Sequence, residues 1–88
     1  MDLSTFEAAL TSEGFSDIVT VQRDADGFLD IHAHAFEAKA LILDGEISLH
    51  VGTTTQRYQT GEIFHLTANQ PHSERYGPAG VRYLVGRK

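Results

Sequence analysis

The stretch Ile31-His32-Ala33-His34-Ala35-Phe36-Glu37 reads as extended chain, and its two histidines stand two residues apart. Side chains two apart in a strand share a face, so His32 and His34 are expected to aim the same way. Two imidazoles converging on one point begin a transition-metal site. A third, His72, follows Pro71 at the head of another extended run, and the fold is expected to bring it to the first two.

Outward from this stretch the chain alternates short strands with turns. Residues 18–22 are β-branched, and Asp24-Ala25-Asp26-Gly27 reads as a turn in which Gly27 takes positive φ. Strands are expected at 28–34, 39–43 and 46–51, with Asp44-Gly45 as a two-residue hairpin between the last two. Gly52-Thr53-Thr54 turns the chain again, and residues 55–58 and 63–67 are strands around Gly61-Glu62. Residues 73–76 and 81–85 close the series, separated by Gly77-Pro78-Ala79-Gly80. About eight short strands with frequent turns predict an all-β sandwich or barrel. Only residues 4–12 read as helix, with Phe6, Ala9 and Leu10 on one face, Ser4 and Glu7 in capping-box spacing, and Gly14 to end it. One short helix cannot form a core, so it is expected to brace or cover the sheet. The expected division is a helical segment over 1–16 and a β-barrel domain over 17–88.

Eighty-eight residues make one domain. With no cysteine, disulfides cannot supply the stability a small core lacks, while metal binding or dimerisation can. Twelve acidic against seven basic side chains give a formal charge of −5, which argues against nucleic acid or an anionic membrane as partner. No run approaches the roughly 20 apolar residues of a membrane span, and the first residues lack the basic and apolar regions of a signal peptide. A cytoplasmic setting is the expectation.

The chain resembles the cupin family of small β-barrels. The family's first motif, a glycine, His-x-His, a glutamate and a second glycine, is matched here by Gly27, His32-Ala33-His34 and Gly45. Its second motif, a glycine with an acidic residue followed by a turn and a histidine, is matched by Gly61-Glu62 and Asn69-Gln70-Pro71-His72. The resemblance covers about residues 18–85. It implies a single-domain cupin, or jelly-roll, β-barrel with a short N-terminal α-helix, and a homodimer. Counted back from Gly45, the family's glutamate ligand falls on Ala38. Thr67 and Asn69 stand at the usual proline and glycine of the second motif, and Asn tolerates positive φ there.

The metal candidates are therefore His32, His34 and His72, a three-histidine site for Zn, Fe, Ni, Mn or Cu with positions left open. Glu37 is expected as a solvated strand residue, unless a bulge turns it inward as a fourth ligand. His65, Phe36 and Tyr76 are the candidate pocket residues, with His65 or Tyr76 as the acid–base group. His50 is expected to be exposed, and Arg75 and Arg82 are candidates for carboxylate binding at the mouth. Without a cysteine nucleophile, a Ser-His-Asp arrangement or a phosphate-cradling loop, covalent hydrolysis is set aside. Two function classes remain: a module that binds a metal and perhaps a small polar ligand, and a metal-dependent oxygenase or isomerase acting on a small molecule. A purely structural barrel would instead show the histidines hydrogen-bonded to one another.

Overall fold

The computed structural model describes residues 2–88. One helix, α1 (Leu3–Ser12), precedes six strands: β1 (Asp17–Arg23), β2 (Phe28–His32), β3 (Ala38–Val51), β4 (Thr54–Gln59), β5 (Ile63–Leu66) and β6 (His72–Arg87). Every pairing is antiparallel. β3 and β6 are long and bent, and each serves two layers. In one layer β1 pairs with the second half of β6, which pairs with the first half of β3, which pairs with β5. In the other, β2 pairs with the first half of β6, which pairs with the second half of β3, which pairs with β4. Counted by halves, the strands number eight, four to a layer. This is the sandwich or barrel expected from the spacing of strands and turns, in the jelly-roll arrangement that the resemblance implies.

The expected hairpin at Asp44-Gly45 is instead the bend of β3, and the expected break at residues 77–80 lies within β6. Gly45 (φ +73°) and Gly80 (φ +72°) meet where the two strands cross between layers. A Cβ on Gly45 would lie 2.1 Å from the Gly80 carbonyl oxygen, so only glycine lets the backbones approach this closely. The ladder shifts register between Ile42 and Asp44 and again between Gly45 and Ile47, as bulges do where a strand bends. A local pattern of Asp-Gly cannot separate a reversal from a bend. The partner strand settles it, because β6 pairs with β3 on both sides of Gly45.

The core lies between the layers. Ala40, Ile42, Phe64 and Val85 from one layer meet Ile47, Leu49 and Tyr76 from the other. A second cluster covers the outer face of the first layer, where Phe6 and Leu10 of α1 and Phe15 pack on Leu41 and Leu84. The helix therefore braces the sheet from outside. Its N-cap is Asp2, whose carboxylate accepts from the Thr5 amide at 2.8 Å, in place of the expected Ser4. That backbone hydrogen bond, with those of the Thr5 and Ser4 hydroxyls, holds the Asp2 carboxyl below its usual range. In the turn at residues 24–27, Asp26 rather than Gly27 takes positive φ (+57°). Gly27 is required for space, since a Cβ there would meet the Tyr76 ring at 2.8 Å.

Candidate metal centre

His32 and His72 are direct cross-strand partners in the β2–β6 ladder, so main-chain pairing alone sets their rings side by side. Their ring centroids are 4.2 Å apart. His34 lies just beyond the end of β2. Its carbonyl accepts from the Asn69 amide at 2.6 Å, which ties it to the loop leading into β6. Asn69 holds that loop at φ +61°, the conformation expected of it. The His34 ring is 4.9 Å from that of His32 and 5.3 Å from that of His72. The fold thus brings the three histidines together.

A fourth donor was not anticipated. Glu74 stands two residues after His72 in β6, on the same face, and is 7% exposed. Donor atoms of His32, His34, His72 and Glu74 all lie within 4.8 Å of one another. Metal–nitrogen bonds of roughly 2.0–2.1 Å put donors on opposite sides of an ion about 4 Å apart, so small side-chain movements suffice to enclose one. The acid enters from β6, across the barrel from Ala38, which is buried at the start of β3 and lines the cavity. The rule that paired His32 with His34 also pairs His72 with Glu74. A buried carboxylate at that spacing was the available signal.

The chemistry of the donors fits a cation. His32 Nδ1 hydrogen-bonds the Asp30 carbonyl at 2.7 Å, and His72 Nδ1 bonds the Gln70 carbonyl at 2.9 Å. A carbonyl only accepts, so each Nδ1 carries the proton and each Nε2 presents a lone pair. Both Nε2 atoms are buried without a hydrogen-bond partner among the described residues. They lie 3.2 and 3.3 Å from Glu74 Oε2 but are not aligned to bond it. The imidazoles do not bond one another either, as a purely structural barrel would require. Burial, and then the neighbouring His32 and His72, lower the His34 pKa and favour its neutral, ligating form. The other Glu74 oxygen, Oε1, accepts from the Tyr76 hydroxyl at 3.0 Å. Burial, and then the Glu74 charge, push the Tyr76 phenol up to about 12, so it remains a donor.

A cavity of about 80 Å³ opens from His32, His34 and Glu74. Phe36 lines it and stacks on His34, with ring centroids 4.7 Å apart. Tyr76 reaches the site through Glu74. His65 does not join the site. It sits half-exposed on the outer side of β5, paired with Glu37, because the strand alternation that buries Phe64 and Leu66 turns His65 outward. The same pair holds Glu37 away from the centre, with Lys88 Nζ 3.9 Å from its other oxygen. His50 is exposed and bonds Thr55. Arg75 lies over the Phe28 ring, and Arg82 pairs with Asp44, so neither reaches the cavity. Arg23 and Arg87 line it instead.

No family model matches the sequence, and no curated protein does. Among solved structures the chain is similar to the cupin domain of Schizosaccharomyces pombe Cnp3, with TM-score 0.74 and 21% identity over 85% of this chain and 56% of that one. It is similar to the DMSP lyase DddQ of Ruegeria pomeroyi DSS-3, with TM-score 0.73 and 24% identity over 81% of this chain and 36% of that one. It is also similar to Bacillus subtilis oxalate decarboxylase, in a structure concerned with Mn(II) centres, with TM-score 0.73 and 16% identity over 81% of this chain and 20% of that one. The chain thus spans little more than half of the Cnp3 structure and less of the other two. No helix among the described residues is long and apolar enough to cross a membrane. The chain has the cupin fold.

Proposed function

We propose that this barrel holds a divalent transition metal through His32, His34 and His72, with Glu74 as fourth ligand, and binds a small molecule beside it. The observation that carries the reading is the pair of buried Nε2 atoms with no hydrogen-bond partner, 3.2 and 3.3 Å from one carboxylate oxygen, while their Nδ1 atoms are fixed by backbone carbonyls. Buried polar groups left unpaired are costly, and an ion at their common focus removes that cost. Zn, Fe, Ni, Mn and Cu all accept imidazole with carboxylate. A structural neighbour with Mn(II) centres supports a metal on this fold.

A bound ion supplies a Lewis acid facing the cavity. The chain's own part is positional: Asp30 and Gln70 carbonyls orient two imidazoles, Tyr76 orients Glu74, and Phe36, Phe64 and Val85 form an apolar wall that limits water. A binding or sensing module is the first reading, because His65 is turned outward and the Tyr76 phenol is committed to Glu74. The second is a metal-dependent oxygenase or isomerase. It is favoured by the cavity beside the donors and by Tyr83 on its wall, whose phenol is kept protonated by burial and by the Glu74 charge.

The test is elemental analysis of untagged protein beside the His32→Ala, His34→Ala, His72→Ala and His65→Ala variants. Near-stoichiometric metal, lost in the first three and kept in the fourth, is the expected result. Folded wild-type protein that takes up no metal on reconstitution refutes the reading. A cytoplasmic homodimer completes the proposal. The exposed Phe28, Leu29 and Ile31 along β2 support pairing with a second copy, and sedimentation of the wild type and of Ile31→Glu tests it.

A further inference from the structure

A buried phenol usually gives its hydrogen to a partner in the protein. Tyr76 follows that rule by donating to Glu74, but Tyr83 does not. Tyr83 lies in the second half of β6, where the ladders set it between Val21 of β1 and Ile42 of β3. Strand alternation turns it to the core face with Val81 and Val85. It is 7% exposed, and its ring meets that of Phe64 edge to face, with centroids 5.3 Å apart. It also lines the cavity that opens from His32, His34 and Glu74.

Among the described residues, the side-chain polar atoms sealed in without a partner are His32 Nε2 and His72 Nε2. The Tyr83 hydroxyl is therefore not sealed, and the open space that its residue lines is the cavity. Val21, Phe64 and Val85, the neighbours of Tyr83 across and along the sheet, make that stretch of wall apolar. Burial is the main cause that pushes the phenol's pKa up, while the Glu74 charge and those of Arg23 and Arg87 act on it in opposite senses. The phenol thus stays a donor. An ion resting on this wall would exchange its water for hydrocarbon and one neutral hydroxyl, which is costly. An uncharged oxygen needs only the one donor. Ala38 is the smallest side chain on the wall, and the volume of about 80 Å³ admits only a few non-hydrogen atoms.

We infer that Tyr83 recognises the ligand of this site by donating a hydrogen bond to the oxygen of a small uncharged molecule, a carbonyl compound or an alcohol, whose carbon stem lies on Val21, Phe64 and Val85. The inference rests on the proposed small-molecule pocket and gives it a ligand class. Ala38 sets the size limit, because any larger side chain there takes up the space of the ligand.

Three planar probes of one shape test it: acetone, isobutene, which lacks the oxygen, and acetate, which is charged. Each is titrated into zinc-loaded protein and followed by amide chemical shifts. Acetone is expected to bind, and Tyr83→Phe to weaken it by about two- to tenfold, as for one neutral hydrogen bond. Isobutene should bind Tyr83→Phe no more weakly than wild type, which shows that the cavity is intact. Ala38→Val should exclude both. Failure of acetone to bind, an equal loss of acetone and isobutene in Tyr83→Phe, or acetate binding that depends on Tyr83 as strongly as acetone binding does overturns the inference. Acetate held by the zinc alone keeps its affinity in Tyr83→Phe and agrees with it. Should the protein take up no zinc, the metal reading fails separately. The metal-free protein is then titrated, and the inference stands only if acetone still binds in a Tyr83-dependent way.

Discussion

Replacing Tyr76 by Phe removes one hydroxyl and nothing else from a side chain that is 6% exposed. The ring keeps its place against Gly27, so packing is preserved. The lost interaction is the hydrogen bond from the phenol to Glu74 Oε1 at 3.0 Å, which leaves the other oxygen facing His32 and His72. The phenol's pKa of about 12 makes it a donor at any working pH. A hydrogen bond to a charged acceptor contributes about 1.5–3 kcal/mol, and loss of such outer partners weakens metal binding by about 10- to 100-fold. The Tyr76→Phe variant should therefore bind zinc about 10- to 100-fold more weakly at pH 7.5, measured by competition with a chromophoric chelator. If the phenol acts by orienting Glu74, the same substitution in a Glu74→Ala background should cost almost nothing more. Unchanged zinc affinity in Tyr76→Phe would refute the reasoning. So would an equal loss in both backgrounds, because the phenol would then act by some route other than Glu74.

Three further outcomes follow from the same geometry. Zinc at about 100 times its Kd should add about 2.7 kcal/mol of stability, or roughly 10–20 °C in Tm for a domain of this size, and a chelator should reverse it in the wild type but have no effect on His34→Ala; a zinc-loaded wild type indifferent to chelator would count against the linkage. Metal-free protein should lose stability on acidification: with the His34 pKa lowered from 6.5 by burial and its histidine neighbours, the unfolded chain takes up the proton first, so this contribution is full above pH 6.5 and falls away below it. Urea midpoints between pH 7.5 and 5.5 would show the decline, and the His34→Gln variant should lack that component. Gly45→Ala should be strongly destabilised, since the left-handed backbone alone costs roughly 1–2 kcal/mol and the new Cβ would press on the Gly80 carbonyl, so a urea midpoint equal to wild type would contradict the bent-strand crossing.

Much of the architecture was written locally. Strand segments, turn positions, the helix and the shared face of His32 and His34 all follow from side-chain alternation and from the residues that tolerate turns. Asn69 and Gly14 take the left-handed conformations their identities allow. Glu74 was legible by the same alternation, since it follows His72 by two in a recognised strand. The family's first motif places its acid at Ala38 instead, so the motif does not point to Glu74.

Other features had no local sign. Asp44-Gly45 has the composition of a hairpin but serves as a bend, because β6 runs alongside both halves of β3 and Gly80 lies against Gly45. His65 sits in a strand that enters the core, yet faces outward to Glu37, because Phe64 and Leu66 take the inner face. The arginines of the cavity lie 64 residues apart, at the two ends of the β1–β6 ladder, and only that register puts both on one face. Sequence by itself determined which residues can share a face, because alternation along a strand is a property of neighbouring residues. Tertiary structure decided which face became the interior and which distant strands met there, because pairing and register depend on burying the whole sheet at once.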